Sequence, residues 1–353
     1  MRLAEFLQAR WWQPRLGLVS ALLVPLSLAY RTALGVRRAL YRTGALRASR
    51  LPVPVIVVGN LVVGGAGKTP ATIALVQSLQ AAGWRPGVIS RGYGSRHEAA
   101  RPVYPDDDPR ECGDEPLLIS RRTCAAVWVG RRRVQAGRAL CAAHPEVDIV
   151  VADDGLQHLP LHRDAQLIVF DGRGCGNGWL LPAGPLREPL ARLPPAGSVV
   201  VYNAARASTP WPGDCAARVL AGSAPLAEWW QGAPASLPAL LALQPEGEGA
   251  APLLAAAGIA EPQRFFRMLE EHGLRIHPLP LPDHHPWTSV PWAPGHTPVV
   301  VTEKDAVKLA PDHPDAARIH VVTLDFKLPA PALSALLAAV PGRARCTSTE
   351  TSF

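Results

Sequence analysis

Residues 62–69 have the composition of a phosphate-binding loop. They read Val62-Val63-Gly64-Gly65-Ala66-Gly67-Lys68-Thr69. An apolar run typical of a buried strand ends just before the loop, at Val58, and an Ala/Leu-rich pattern typical of a helix follows it over residues 71–82. In such a loop the backbone N–H groups approach phosphate oxygens, and the helix N-terminus adds favourable partial charge. We expect Lys68 to reach the β- and γ-phosphates and the Thr69 hydroxyl to occupy a Mg²⁺ position.

The loop departs from the strict phosphate-loop pattern at one position. That pattern has a glycine five residues before Gly67, where this chain has Val62. The core Gly-Gly-x-Gly-Lys-Thr is intact. A plain glycine-rich turn is the alternative, but the strand before the loop and the helix after it favour phosphate binding.

Asp153 and Asp154 are the predicted metal ligands. They follow the apolar run 147–152, which is typical of a strand. A carboxylate at the end of a strand beside a phosphate loop holds Mg²⁺ directly or through water, so both are expected to share the metal with Thr69. The alternative is that they only form a turn or a helix cap.

Two further polar stretches could carry catalytic groups. Asp114 opens an apolar helix pattern, where it could simply cap the helix or could act as a general base on an attacking hydroxyl. The stretch Asp283-His284-His285 lies in a proline-rich loop. It could bind a metal, pair a histidine with a distant carboxylate, or be an ordinary polar loop; no third ligand at zinc spacing accompanies it.

Residues 302–305 form a third polar stretch. Thr302-Glu303-Lys304-Asp305 follows a predicted strand, as nucleobase-reading loops do in some nucleotide-binding proteins. Its order differs from the guanine-reading pattern, so guanine specificity is not supported. A solvated helix start is the alternative.

Alternating strand and helix patterns position these groups. Runs near residues 53–58, 87–90, 126–130, 147–152, 165–170 and 198–202 predict strands of a mostly parallel sheet with helices on both faces. Functional side chains are expected at the carboxyl ends of such strands. A smaller α/β pattern begins at Pro252. We therefore predict an α/β fold of the P-loop NTPase type over residues 46–225 and a smaller α/β lobe over 226–345.

The segment 1–45 differs from the rest of the chain. It contains about fifteen apolar positions between Leu16 and Tyr30, flanked by arginines, with Trp11 and Trp12 nearby. A spanning helix needs roughly 20 apolar residues, so a basic helix lying in the membrane interface fits best. A true span and a core helix of a soluble protein are the alternatives.

Composition limits the possible partners. The formal net charge is +7 and hydrophobic residues make up 48% of the 353-residue chain, enough for a sizeable core. Such a charge favours an anionic partner, but no nucleic-acid-binding motif accompanies it, so no nucleic acid is expected. Six scattered cysteines without a C-x-x-C pair indicate a reducing compartment.

Taken together, the motifs resemble those of one family, the tetraacyldisaccharide 4'-kinases that phosphorylate lipid A precursors in Gram-negative bacteria. Besides the phosphate loop, the resemblance rests on stretches 90–94, 113–116, 153–158, 181–188, 258–260, 283–285 and 302–305, which occur in the family's order. One departure is Leu156, where the family usually has phenylalanine.

The resemblance implies a monomeric kinase on the cytoplasmic face of the inner membrane, with ATP and Mg²⁺ as cofactors. Its substrate would be a tetraacylated glucosamine disaccharide 1-phosphate, phosphorylated at the 4'-hydroxyl to give lipid IVA. Asp114 becomes the expected base, paired with His284 from the second lobe, while Lys68 serves catalysis by holding the phosphates. Arg91 and Glu188 are candidates for the cleft lining.

Two other functions compete with this interpretation. A membrane-associated NTPase for targeting or transport explains the phosphate loop and the paired aspartates, but gives no reason for the Gly-Asp-Glu-Pro and Asp-His-His stretches. A soluble ligase with the same nucleotide fold does not explain the N-terminal helix.

Overall fold

The computed structural model describes residue 7 and residues 10–13, 15–92, 99–244 and 251–342. The motif residues Tyr93 and Gly94 therefore lie outside the described residues. Within those residues the chain forms two sheets, one of eight strands and one of five.

The eight-stranded sheet carries the phosphate loop. Its strands follow the order β3-β4-β2-β5-β1-β6-β7-β8 and are parallel, apart from the antiparallel edge strand β3. Their bounds are β1 Val55–Gly59, β2 Pro86–Ser90, β3 Arg101–Val103, β4 Ala126–Val129, β5 Ile149–Ala152, β6 Ala165–Asp171, β7 Ser198–Asn203 and β8 Asp214–Cys215. The central strands are runs of buried aliphatic residues, as expected for strands covered on both faces.

Helices cover both faces of this sheet. They are α3 Lys68–Ala81, α4 Pro109–Cys112, α5 Asp114–Thr123 and α6 Arg133–Ala143. Ile56 and Val58 face the apolar cluster that contains α3 and α5, whereas Val55 and Val57 face the cluster that contains α6. The period of two along β1 thus divides the core into two layers.

The five-stranded sheet has the order β11-β10-β12-β13-β9 and is parallel, apart from the antiparallel β9. Its elements are β9 Ala217–Pro225, α7 Leu226–Trp230, α8 Leu237–Leu241, β10 Leu253–Ala257, α9 Pro262–Glu271, β11 Ile276–Pro280, β12 Val299–Thr302, α10 Glu303–Ala306, a 3₁₀ turn Ala316–Arg318 and β13 Ile319–Lys327. Helix α9 packs Phe265 and Phe266 on one face of this sheet. The last helix, α11 Ala330–Ala339, contributes Leu336 to the cluster below the first sheet.

Two features of the sheets differ from the predicted pattern. Strand β9 is absent from the predicted strands, since it falls in residues 203–250, which are rich in Ala, Pro and Gly and have weak periodicity. It pairs with β13 of the second sheet, whereas the predicted first lobe extends to residue 225. Edge strand β11 likewise forms within a proline-rich stretch. Both are edge strands, and such strands need less continuous hydrophobicity than central ones because they are partly solvated. The lobe boundaries otherwise stay a prediction.

Among the described residues of the N-terminal segment, 18–42 form the helices α1 Leu18–Leu22 and α2 Val24–Arg42. Ser27 donates to the Leu180 carbonyl at 2.9 Å and Tyr30 to the Arg187 carbonyl at 3.1 Å, so one face of α2 is held on the first lobe. Elsewhere on α1 and α2, large apolar side chains face solvent: Leu18, Leu22, Leu26, Leu28, Val36 and Leu40. Within the described residues, none of the helices combines the length and apolarity needed to cross a bilayer.

Candidate active site

The loop between β1 and α3 has the backbone of a phosphate cradle. Gly64 and Gly67 take φ values of 88° and 91°, in the left-handed region that favours glycine, and α3 starts immediately afterwards at Lys68. A Cβ on Gly67 would lie 2.2 Å from Asn203 Nδ2, so the close approach also requires glycine there. No side chain caps the first N–H groups of α3, and Lys68 and Thr69, its first two residues, line a cavity.

Only part of the predicted loop faces that cavity. Gly65, Gly67, Lys68 and Thr69 line it. Val62, by contrast, is fully buried in the core. The other three predicted loop residues use their backbone internally: Val63 N–H donates to the Pro185 carbonyl, Gly64 carbonyl accepts from Ala66 N–H, and Ala66 carbonyl accepts from Asn203.

The two strand-end aspartates have different environments. Asp153 is almost fully buried and accepts hydrogen bonds from Thr72 Oγ1 at 2.8 Å and Ser90 Oγ at 3.3 Å. Asp154 is more open, and its Oδ1 lies 3.8 Å from Lys68 Nζ and 3.0 Å from Arg187 Nη1. Asp153 is thus fixed below the loop, while Asp154 lies among cations.

The ionisation of these carboxylates follows from their neighbours. Burial, together with the nearby Glu115 and Asp154 carboxylates, raises the pKa of Asp153 above its usual range. Burial also raises the pKa of Asp154, but the charges of Lys68, Arg187 and Arg133 outweigh it, and the net shift is downward. Asp154 is therefore ionised at neutral pH.

The oxygen donors around the loop are of the kind that Mg²⁺ binds. Carboxylate and hydroxyl oxygens are hard ligands, and Mg²⁺ usually takes few from the protein and the rest from phosphates and water. Across the described part of the chain, no group of three or more His, Cys, Asp or Glu side chains is placed to hold a metal ion. The predicted ligands Thr69, Asp153 and Asp154 supply oxygen donors of this kind.

A histidine from the second lobe meets a carboxylate from the first. His284 Nδ1 lies 2.9 Å from Asp114 Oδ2, although the residues are 170 positions apart. Gly113 rather than Asp114 is the N-cap of α5, and no side chain caps this helix, so the capping alternative for Asp114 is wrong. Asp114 is the first residue of α5 and accepts from Glu115 N–H at 2.9 Å beside its contact with His284. His284 has a φ of 58°, uncommon for a non-glycine residue.

This pair is strongly polarised. Burial raises the pKa of Asp114, but the hydrogen bond with His284 and the charges of Lys304 and Lys308 prevail and hold that pKa at about 2. The same hydrogen bond raises the pKa of His284 above its usual value, against the opposing effect of burial. His285, in contrast, stacks edge-on against Trp287 at 5.3 Å.

The stretch 302–305 is buried rather than solvated. Thr302 caps α10 by accepting from Asp305 N–H, and Glu303 accepts from Arg122 Nη1 at 2.6 Å. Lys304 Nζ lies 3.2 Å from Glu115 Oε1 and 3.4 Å from His284 Nε2, so this stretch contacts the Asp114–His284 pair.

Other motif residues connect the site to the N-terminal helix. Arg187 Nη1 also contacts Gln157 Oε1 at 3.3 Å, and the next residue, Glu188, is paired with Arg38 of α2. Burial and several arginines lower the pKa of His158 to about 4, so its ring is neutral. Arg91 is exposed at the end of β2 and lies near enough to His158 to contribute to that lowering.

A cavity of about 160 Å³ lies between the loop and the second lobe. Its second-lobe wall includes residues that the sequence patterns did not single out, Arg218 and Arg264. Asn203, at the carboxyl end of β7, was also missed; it donates to the Ala66 carbonyl at 3.1 Å and accepts from Arg264 at 3.1 Å. The strand-end rule could have found Asn203, but no local pattern marks the two arginines.

Comparison with known proteins decides the family. The family pattern described as tetraacyldisaccharide-1-P 4'-kinase matches residues 19–341, which is most of the chain. This chain belongs to the tetraacyldisaccharide 4'-kinase family. It is 54% identical, over 97% of both chains, to a protein of Leptothrix cholodnii named tetraacyldisaccharide 4'-kinase. A protein of Methylibium petroleiphilum with the same name is 48% identical over 95% of this chain and 93% of its own.

A solved structure has the fold of this 4'-kinase family member. The crystal structure of LpxK from Aquifex aeolicus, described as an "apo" form in complex with ATP, has a TM-score of 0.73 to this chain. The alignment covers 92% of this chain and 100% of the Aquifex chain, with 24% sequence identity. At that identity the similarity shows a shared fold. The predicted P-loop-type α/β architecture is confirmed.

Proposed function

We propose that this protein transfers the γ-phosphoryl group of ATP to the 4'-hydroxyl of a tetraacylated glucosamine disaccharide 1-phosphate, giving lipid IVA at the cytoplasmic face of the inner membrane. The observation that carries the proposal is the Asp114–His284 hydrogen bond of 2.9 Å. It brings a buried carboxylate from one lobe and a histidine from the other to the same cavity region as the phosphate loop, since Glu115, next to Asp114, lines the cavity with Lys68.

The phosphate end of the site neutralises charge. Phosphoryl transfer passes through a loose transition state, so positioning and electrostatic stabilisation dominate over covalent chemistry. Lys68 and the first N–H groups of α3 would bind the phosphate oxygens of ATP. Thr69 and Asp153, with Asp154 beside them, would hold Mg²⁺. The ion would supply positive charge that offsets the charge developing on the phosphate oxygens.

Asp114 would accept the proton of the attacking hydroxyl. The acceptor oxygen forms its bond to the γ-phosphorus while the bond from that phosphorus to the bridging oxygen breaks, and ADP leaves. With a pKa of about 2, Asp114 is a weak base while His284 is charged. In a loose transition state the proton is removed late, after the hydroxyl oxygen has begun to bind phosphorus, so a weak base suffices. His284 serves as a positioning residue that orients the carboxylate.

The N-terminal helices would bring this site to its lipid substrate. Six large apolar side chains of α1 and α2 face solvent, and arginines accompany them in the sequence. Such a combination suits insertion among the acyl chains with basic groups at anionic headgroups. The face of α2 held on the first lobe contacts residues 180 and 187, close to Asp154, so the lipid surface would lie beside the catalytic cavity.

A phosphoryl-transfer assay tests the proposal. Purified protein in detergent micelles receives γ-labelled ATP, Mg²⁺ and the lipid A disaccharide 1-phosphate, beside a control without lipid. We expect label on the disaccharide, its loss in Lys68→Ala and a decrease of at least about 100-fold in Asp114→Asn. The exposed Asp312→Asn is the matched control and should retain full activity. ATP hydrolysis that is equal with and without lipid, with no labelled disaccharide, would instead support a membrane-associated NTPase.

A further inference from the structure

Arg218 brings a positive charge from the second lobe to the phosphate loop. It lies near the start of β9, opposite Phe326 of β13. Its Nη2 atom is 3.1 Å from the position that a Cβ on Gly67 would occupy. Gly67 is the residue from which α3 starts, so the guanidinium lies beside the N-terminus of the phosphate-loop helix.

The Arg218 side chain is partly buried and lacks a matching partner for its Nε atom. Its Nε atom is shielded from solvent and has no hydrogen-bond partner among the described residues. Burial and the neighbouring Arg264 lower the pKa of Arg218 to about 10. A buried donor without an acceptor is costly, as is a cation beside another cation, so this arrangement lacks an anion.

Nearby carboxylates do not supply that anion. Asp171 and Glu261 are the acidic groups whose charges act on Arg218. Both already form ion pairs with Arg173, at 2.5 Å and 2.6 Å respectively. Three arginines, Arg173, Arg218 and Arg264, thus face two carboxylates. Arg264 is itself used, because it donates to the Asn203 carbonyl at 2.6 Å. Arg218 is therefore the arginine whose positive charge is not compensated by a carboxylate.

The cavity beside Arg218 suits a nucleotide. Gly67, Lys68 and Thr69 line one wall with N–H groups and an ammonium group, while Ile259, Val322 and Leu324 line the other with apolar side chains. A phosphate chain fits the first wall and a flat base the second. The Arg218 guanidinium lies at the polar end, next to Gly67.

We infer that Arg218 is a ligand of the diphosphate that ATP and ADP share, supplied by the second lobe across the cavity from the phosphate loop. The inference rests on the proposed use of ATP as phosphoryl donor. An arginine fits this role because its planar donors pair with phosphate oxygens in a fixed geometry. Nucleotide binding would then join the two lobes through a direct bond, in addition to the Asn203 contacts already present.

Equilibrium binding of ADP and of adenosine, with Mg²⁺ present, tests the inference on the full chain in detergent micelles. In Arg218→Gln we expect the Kd of ADP to rise about 10- to 100-fold, the effect of losing a charged hydrogen bond. The Kd of adenosine should change by less than about threefold, because adenosine has no phosphate. Arg218→Lys should lie between the wild type and Arg218→Gln, since it keeps the charge but not the planar fork.

Arg267→Gln is the matched control. Arg267 lies one turn after Arg264 on α9 and is exposed, so the same loss of charge should leave ADP binding unchanged. The melting temperature of each nucleotide-free variant shows whether it is folded. Arg218→Gln should not melt below the wild type, because it removes a partly buried cation whose Nε atom lacks a partner.

Two results would overturn the inference: unchanged ADP affinity in folded Arg218→Gln, or a parallel loss for ADP and adenosine, which would place Arg218 at the base. These outcomes are separate from the fate of the proposed function. Wild-type protein that binds ADP but leaves the disaccharide unlabelled would contradict the proposed acceptor, and the Arg218 comparison would still be decided by ADP binding.

Discussion

The hydrogen bond between His284 and Asp114 is expected to make catalysis depend on pH near neutrality. Below the raised pKa of His284 the imidazolium holds the Asp114 pKa low, and loss of the proton from His284 restores basicity to the carboxylate. We therefore expect kcat/KM to rise with pH through a group whose pKa exceeds 6.5. The stabilising effect of the pair has the opposite sign: it is fully present below the unfolded-state pKa of histidine and is lost as pH rises through the folded-state value.

An NMR titration of His284 checks the cause of that dependence. In Asp114→Asn the charged partner is gone while burial still disfavours the imidazolium, so the pKa of His284 should fall to its ordinary value or below. His320 is the internal control, because its pKa is lowered by burial in a different part of the second sheet and should not change. An unaltered His284 titration in the variant would contradict the pairing.

Asp305 illustrates a different use of a buried carboxylate, as a structural acceptor. It is fully buried and accepts from Gly258 N–H at 3.0 Å, Trp287 Nε1 at 2.9 Å and Thr302 Oγ1 at 2.7 Å. Asp305→Ala would leave these donors without an acceptor, so we expect the free energy of unfolding to fall by about 3 kcal/mol. Urea denaturation measures the change. The exposed Asp312→Ala should stay within about 0.5 kcal/mol of the wild type, and an equally small effect at Asp305 would refute this role.

At the scale of the element, the N-terminal helices are expected to bind membranes through their exposed leucines. Leu18, Leu22 and Leu26 are 88%, 82% and 59% exposed, so replacing all three by serine removes no core contact. We expect binding to anionic phospholipid vesicles to weaken at least about tenfold, because each leucine loses apolar area that the bilayer would bury. The melting temperature should not change.

Vesicle flotation measures this effect, with Leu241→Ser as the control. Leu241 is 41% exposed and belongs to α8 of the second lobe rather than to the N-terminal helices. Equal flotation of the triple variant and the wild type would mean that these leucines do not carry membrane binding.

At the scale of the whole molecule, the two sheets are expected to unfold together. One apolar cluster contains Val58 of β1, Leu75 of α3 and Val301 of β12, so α3 is packed between the sheets. Arg122 adds ion pairs of 2.6 Å from α5 to Glu303 and Asp325 of the second lobe. Exposing either lobe alone would expose this shared core, which predicts a single cooperative transition.

Calorimetry and near-UV circular dichroism measured on the same sample test that prediction. Coincident transitions by both methods are expected. Two resolved transitions would show instead that the lobes are independent folding units.

The sequence by itself determines the local parts of this protein. The strand, glycine loop and helix at residues 55–81 were predictable because hydrophobic periodicity and glycine placement act over neighbouring residues. The same holds for Asp153 and Asp154 at a strand end, and the order of motifs was sufficient for the family resemblance. Whether a helix or strand exists was therefore easier to predict than which strands pair with one another. Strand β9 is an exception, because an edge strand needs little continuous hydrophobicity and β9 had no clear sequence pattern.

Only the tertiary structure decided which distant groups meet. Local patterns left Asp114 open as a helix cap, and its contact with His284 depends on how the second lobe packs against α5. The sequence left residues 302–305 open as a solvated helix start, whereas in the structure Thr302, Glu303 and Asp305 are buried beside that pair. Arg218 acquired its significance only because β9 joins the second sheet and places a partly buried cation beside Gly67. Burial, charge balance and contact across lobes are properties of packing, and short-range sequence patterns do not encode them.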